Sequence, residues 1–229
     1  MSEYSEAEQW QRAKDWLKAN GLWIVAGVAI GAACIGGWRW YGERSTAQAE
    51  AASSRYDEMI EAFTRSDKTR VITISDDLNR DYQSSPYAAL GTLMAARVHV
   101  EANELDKAAA SLKSVMDTAS DEEIRMIARL RLARVQLAQT KYDDALATLK
   151  VDQPGEFATR LAEVRGDVLL AKGDRAGALR EYLAARVGKN EGRVDIDLLD
   201  LKIRDLGGTP PASTEDSPEG AAAASPKAS

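Results

Sequence analysis

The stretch Ala96–Leu112, ARVHVEANELDKAAASL, returns twice further along the chain. Ala133–Leu149 reads ARVQLAQTKYDDALATL and Gly166–Tyr182 reads GDVLLAKGDRAGALREY, at offsets of 37 and 33 residues and without gaps. The matching columns are Ala96/Ala133/Gly166, Val98/Val135/Val168, Val100/Leu137/Leu170, Ala108/Ala145/Ala178 and Leu112/Leu149/Tyr182. Each column has a physical reason. A small residue on the first helix lets two helices approach closely, and the alanine on the second helix receives that approach. Asn103, Thr140 and Gly173 fall between the two, where short polar residues or glycine end a helix. Recurrence at a fixed period is the mark of a repeat architecture, in which each unit is one helix pair.

A small residue, an alanine 12 positions later and a bulky residue four beyond that also form the tetratricopeptide pattern. The alternative, an irregular bundle with coinciding alanines, asks three such matches to arise separately. The flanks extend the series. Thr46–Phe63 and Lys68–Tyr82 read as a further helix pair, with the β-branched run Val71–Ile74 inside a helical context. Ser85 before Pro86 is an N-cap signal, and Ser120 with Glu123 reads as a capping box. In Val194–Leu206, Ile196, Leu199 and Ile203 share one face, which predicts a helix covering the open end of a solenoid. From Gly207 the composition cannot support a core, and 207–229 reads as a disordered tail.

Upstream of the repeats, GLWIVAGVAIGAACIGGWRWY occupies Gly21–Tyr41. No charged side chain occurs between Ala19 and Trp38. As a helix the segment would measure about 31 Å at ~1.5 Å per residue, which matches a hydrocarbon core of ~30 Å. Trp23 sits at one edge, and Trp38, Trp40 and Tyr41 at the other, where amphipathic rings favour the headgroup layer. Gly31-Ala32-Ala33-Cys34 superficially fits a cleavage site. Against cleavage, the preceding segment carries Glu3, Glu6, Glu8 and Asp15, and the aromatic exit suits a retained helix. Trp10, Ala13, Trp16 and Leu17 recur at helical spacing and predict a juxtamembrane helix within residues 1–20. Gly27 and Gly31, with Ala29, Ala33 and Gly37, put small residues on adjacent faces where another membrane helix can pack. Lys and Arg counts on the two sides of the span nearly tie, so charge alone does not orient it.

The expected architecture is all-α: a tail (1–20), one transmembrane helix (21–41), a tetratricopeptide-like α-solenoid (42–206) and the tail 207–229. The chain of 229 residues carries a net charge of −6. Acidic balance without a Lys/Arg block argues against nucleic-acid binding. A single cysteine, Cys34, and a single histidine, His99, leave little material for triads or metal centres, and nucleotide-binding glycine fingerprints are missing. Neither an enzyme nor a cofactor is expected. First helices of the pairs line a solenoid's concave face, which selects Leu90, Leu93, Arg97, Val100, Leu130, Arg134 and Leu137 as partner-binding candidates. Arg97 and Arg134 occupy equivalent positions, either to pin carboxylate or backbone oxygens of a bound chain or to pair with nearby acids.

In order along the chain come an acidic tail, a span ending in GWRWY, then NELDKAAASL, ASDEEIRMIARLRLARVQLAQ, VRGDVLLAKGDRAGA and LKIRDL. Together these closely resemble the family of ancillary SecYEG translocon subunits, the YfgM-type tetratricopeptide-like proteins of bacterial inner membranes, over roughly residues 9–206. The resemblance implies a cytoplasmic N-terminus, one membrane helix and a periplasmic repeat domain. It implies association with SecYEG and with the membrane-bound chaperone PpiD, and it carries over no catalytic residues; a tethered groove so placed would also meet nascent secreted chains. The tail after Leu206 departs from the family pattern. A reading from a different class is a signalling regulator that sequesters another protein under envelope stress.

Overall fold

The computed structural model describes residues 6–187 and 194–211, with the side chains of 6–9, 13, 24 and 36–45 left out. The described residues are helical apart from turns, one 3-10 turn and short connections. The elements are α1 (Glu6–Thr64), α2 (Lys68–Asp81), α3 (Pro86–Glu101), α4 (Leu105–Thr118), α5 (Glu122–Ala138), α6 (Tyr142–Thr148), α7 (Ala158–Lys172), α8 (Arg175–Val187) and α9 (Ile196–Asp205). The chain divides into two compact units, Met1–Ser54 and Arg55–Ser229.

In the first unit, the segments Trp10–Trp23 and Val25–Ile35 of α1 meet at a 47° bend. Among the described residues no single helix is long and apolar enough to cross a membrane, but this bent pair together has the length and composition to do so. Trp10, Trp16, Leu22, Trp23, Val25, Val28, Ile30 and Ile35 all stand largely exposed. A Cβ added at Gly27 or Gly31 would meet nothing within 4 Å, and Ala29 and Ala33 are exposed beside them. Gly37, Trp38, Trp40 and Tyr41 lie outside the residues whose side chains are described.

The second unit stacks helix pairs in series. Each of α2–α5 packs on its successor, as do α7 and α8, and first helices of successive pairs touch, α3 with α5 and α5 with α7. The repeat columns explain the stacking. Ala96, Ala133 and Gly166 are buried, as are Ala108, Ala145 and Ala178. Leu112, Leu149 and Tyr182 fill the space between the helices of a pair. Asn103, Thr140 and Gly173 take φ of 58°, 60° and 95°, the left-handed conformation that turns the chain from first helix to second. Ser85 caps α3, its hydroxyl accepting from the Tyr87 amide, with Pro86 at the first helical position.

Two local expectations shift. The cap of α5 is Asp121 rather than Ser120: the Asp121 carboxylate accepts from the Glu123 and Ile124 amides. An ionised acceptor suits the positive helix N-terminus, and Arg125 occupies the carbonyls of Ala119 and Ser120. On α9, Leu199 and Ile203 are fully buried against Ala162, Ala178, Tyr182 and Ala185, whereas Ile196 is exposed at the first position of the helix. Residues 212–229, most of the expected tail, lie outside the described residues.

Candidate functional site

A cleft of about 350 Å³ opens between α3, α4 and α5. From α3, Leu93, Ala96, Arg97 and Val100 line it, at the i, i+3, i+4, i+7 spacing of a single helix face. Arg131, Arg134, Val135 and Ala138 repeat that spacing on α5, and Leu105 and Leu112 come from α4. The floor is apolar and largely buried: Leu93, Ala96, Leu112 and Val135 each expose 6% or less of their surface. Val100 is 42% exposed at the rim.

Three guanidinium groups stand around this floor. Arg97 is tethered: its Nε donates to Glu101 Oε1 at 3.0 Å, and its head lies 4.8 Å from the centroid of the Phe63 ring. Arg131 and Arg134 differ. Among the described residues no carboxylate lies within ion-pair distance of either. Partial loss of water first, and then the charges of Arg97 and Arg134, hold Arg131 below the ordinary arginine value. It stays charged, but its neighbours repel it.

Nearby, His99 is buried, and its Nδ1 lies 2.7 Å from Glu104 Oε2 across the α3–α4 turn. Glu104 is held below the usual carboxylate range, first by the bond from Lys107 and then by that from His99. These contacts fix the turn that carries Leu105 into the cleft. The sole histidine is thereby a structural residue at the edge of the site.

Of the seven residues read as lining the concave face, the cleft brings together Leu93, Arg97, Val100 and Arg134. It leaves out Leu90, half-buried against the core of the α3–α5 layer, and Leu130 and Leu137, which belong to the core cluster of the following pair. Ala96 on α3, Leu105 and Leu112 on α4, and Arg131, Val135 and Ala138 on α5 line the cleft without having been selected. The spacing of Arg131 and Arg134, three apart on one helix face, was the available signal.

The same position one repeat later is built differently. Val100 and Leu105 correspond to Leu137 and Tyr142, which pack against the Leu149–Leu161–Val164 cluster. Arg131 and Arg134 correspond to Val164, fully buried, and Asp167. Asp167 accepts from the Tyr182 hydroxyl and from Lys202 Nζ, both at 2.8 Å. The cationic cleft is therefore a local feature of the α3–α5 layer rather than a stripe along the solenoid. Among the described residues no group of three or more His, Cys, Asp or Glu converges to hold a metal ion.

Stacked antiparallel helix pairs, with a small residue and an alanine at each crossing and a helix over the last face, make this a helical-repeat scaffold that offers a groove. The tetratricopeptide repeat-like domain model matches residues 14–208. The ancillary SecYEG translocon subunit of Escherichia coli is 32% identical over 88% of this chain and 97% of its own length. Those of Neisseria gonorrhoeae and Haemophilus influenzae are 31% and 26% identical, with the same coverage. The chain belongs to this tetratricopeptide repeat-like family of ancillary SecYEG translocon subunits. No solved structure matches it.

Proposed function

We propose that this chain is a non-catalytic adaptor of the SecYEG translocon, held in the bacterial inner membrane by its N-terminal helix. Its repeat domain stands on the periplasmic side and binds proteins there, joining translocation to the membrane-bound chaperone PpiD and to emerging secreted chains. The observation that carries this reading is the similarity to the Escherichia coli subunit over 88% of this chain, together with a family match over residues 14–208 that takes in the apolar segment and the repeats alike. The bent apolar pair Trp10–Trp23 and Val25–Ile35 supports the anchor by length and composition. The α3–α5 cleft supports binding as the chemistry: an apolar floor flanked by arginines holds a chain without altering it. Tethering raises the effective concentration of such a groove near the channel exit without new contacts.

The test is affinity isolation of the full chain from membranes in mild detergent, with identification of what stays bound. Retention of SecYEG subunits is expected. Retention of a cytosolic regulator without any channel subunit contradicts the proposal and favours a sequestering regulator.

A further inference from the structure

We propose that the α3–α5 cleft takes a linear peptide segment in which one bulky apolar side chain is flanked by acidic residues. The apolar group seats on the floor and the carboxylates pair with Arg131 and Arg134. This rests on the reading of the chain as a protein-binding scaffold and names the chemistry of what it binds.

Three observations point to this occupant. First, the floor of Leu93, Ala96, Leu112 and Val135 is almost fully withdrawn from water although the cleft above it is open. Its volume of about 350 Å³ falls within the ~300–1,000 Å³ of pockets that hold a ligand group. Second, Arg131 and Arg134 project from one face of α5 with no carboxylate of the described residues within ion-pair distance, although the protein as a whole is acidic. Two planar cations set three residues apart suit paired carboxylates, whereas Arg97 at the opposite rim is already paired with Glu101 and stacked on Phe63. Third, the next repeat reverses both properties at once. Leu137 and Tyr142 occupy the equivalent space, and Val164 and Asp167 replace the two arginines. A small inorganic anion would use the cations but leave the floor empty. A purely apolar segment would leave the guanidinium groups facing each other unneutralised.

The experiment uses the full chain in lipid nanodiscs of neutral lipid and a fluorescein-labelled short peptide, a central phenylalanine flanked on both sides by aspartate and glutamate. Fluorescence anisotropy should show saturable binding. Replacing the acids by asparagine and glutamine, or the phenylalanine by alanine, should weaken binding about tenfold or more, the range for losing a charged hydrogen-bonded contact. The double variant Arg131→Gln/Arg134→Gln should lose the acidic peptide by a similar factor with an unchanged circular dichroism spectrum. Added salt should weaken the wild-type complex and not the residual binding of the variant. Equal affinity for the acidic and amide peptides, indifference to the double variant, or competition by phosphatidylglycerol vesicles alone would overturn the inference. Translocon retention in mild detergent is measured in parallel. If channel subunits stay bound while the peptides are not discriminated, this inference fails and the adaptor reading stands. If peptides are discriminated but no channel subunit is retained, the adaptor reading fails and the cleft chemistry stands.

Discussion

Gly166 and Tyr182 are a matched pair: a methyl group on Gly166 would sit 2.5 Å from Tyr182 Cδ1 and also press on the rest of the ring edge. The earlier repeats pair alanine with leucine at the same two positions, Ala96 with Leu112 and Ala133 with Leu149. Loss of the side chain on α7 thus accompanies the larger ring on α8. Gly166→Ala is expected to destabilise the protein by about 1–3 kcal/mol through overpacking. Adding Tyr182→Leu should recover a large part of that loss, giving a coupling energy well above experimental error in a double-mutant cycle. Denaturant midpoints followed by ellipticity check both steps; additive costs would show that the two sites do not meet.

Tyr182 also anchors the closing helix. Its hydroxyl donates to Asp167, and Lys202 of α9 reaches Asp167 Oδ1 at 2.8 Å and Glu163 Oε1 at 3.1 Å, 5.4 Å from the Tyr182 ring centroid. Beneath this network Leu199 and Ile203 are fully buried. Ile203→Ala should cost about 2–5 kcal/mol, the range for truncating a buried aliphatic side chain. It should also expose the α7–α8 layer to proteolysis before the α3–α5 layer. An unchanged midpoint would mean that α9 is dispensable.

The same network predicts an alkaline limit to stability. Burial pulls the Lys202 ammonium down, but Asp167 and Glu163 more than offset it and leave it above its ordinary value of 10.5. Burial, and then the bond to Asp167, raise Tyr182 above its ordinary 10.0. Both groups keep their protons longer in the folded protein than in the unfolded chain. Above about pH 10 the folded state therefore binds more protons, and unfolding becomes easier as pH rises. The contribution is fully present below the ordinary values and is lost through the raised ones. Thermal midpoints between neutral pH and pH 11 should be flat and then fall, with a shallower alkaline slope in Lys202→Met. A parallel slope in that variant would contradict the assignment.

Copying the second cleft into the first should close it. Val100→Leu with Leu105→Tyr reproduces Leu137 and Tyr142, residues that pack at the equivalent site. Both positions are partly open, so stability should change by less than about 1.5 kcal/mol, as for tolerated apolar swaps. Crosslinks from the cleft to partners in membranes should drop severalfold. Unchanged crosslinking would place the binding surface elsewhere.

Gly27→Leu and Gly31→Leu test the apolar segment. A Cβ added at either glycine meets nothing within 4 Å, so helicity and the repeat domain's unfolding should be untouched. Any loss of co-isolation with membrane partners then reports on close packing with another helix, where small residues let backbones approach. Full retention would leave these glycines without an interaction role.

The scaffold was legible because its signals are local and repeated. The small and alanine columns, the left-handed turn residues Asn103, Thr140 and Gly173, and the burial of Leu199 and Ile203 follow from spacing alone. The lining of the α3–α5 cleft was only half legible, for a geometric reason. Repeat equivalence selects the same edge of every first helix, so it carried Leu93 and Val100 on to Leu130 and Leu137. A cleft between successive first helices needs facing edges instead, and on α5 that edge is shifted by one residue, to Arg131, Arg134, Val135 and Ala138. Arg134 belongs to both sets and was found; Arg131 was not. Whether an arginine is neutralised also depends on contacts distant in sequence. Arg97 meets Glu101 on its own helix, yet its stacking on Phe63 is visible only in the fold.

The most direct measurement is site-specific photocrosslinking from position 100, at the rim of the cleft, in intact inner-membrane preparations of defined sidedness. Adducts with SecYEG subunits, the membrane-bound chaperone or secreted chains, formed on the periplasmic side, are the predicted result. Adducts confined to cytosolic proteins, or formed only when the cytosolic face is accessible, would contradict the placement of this domain at the channel exit.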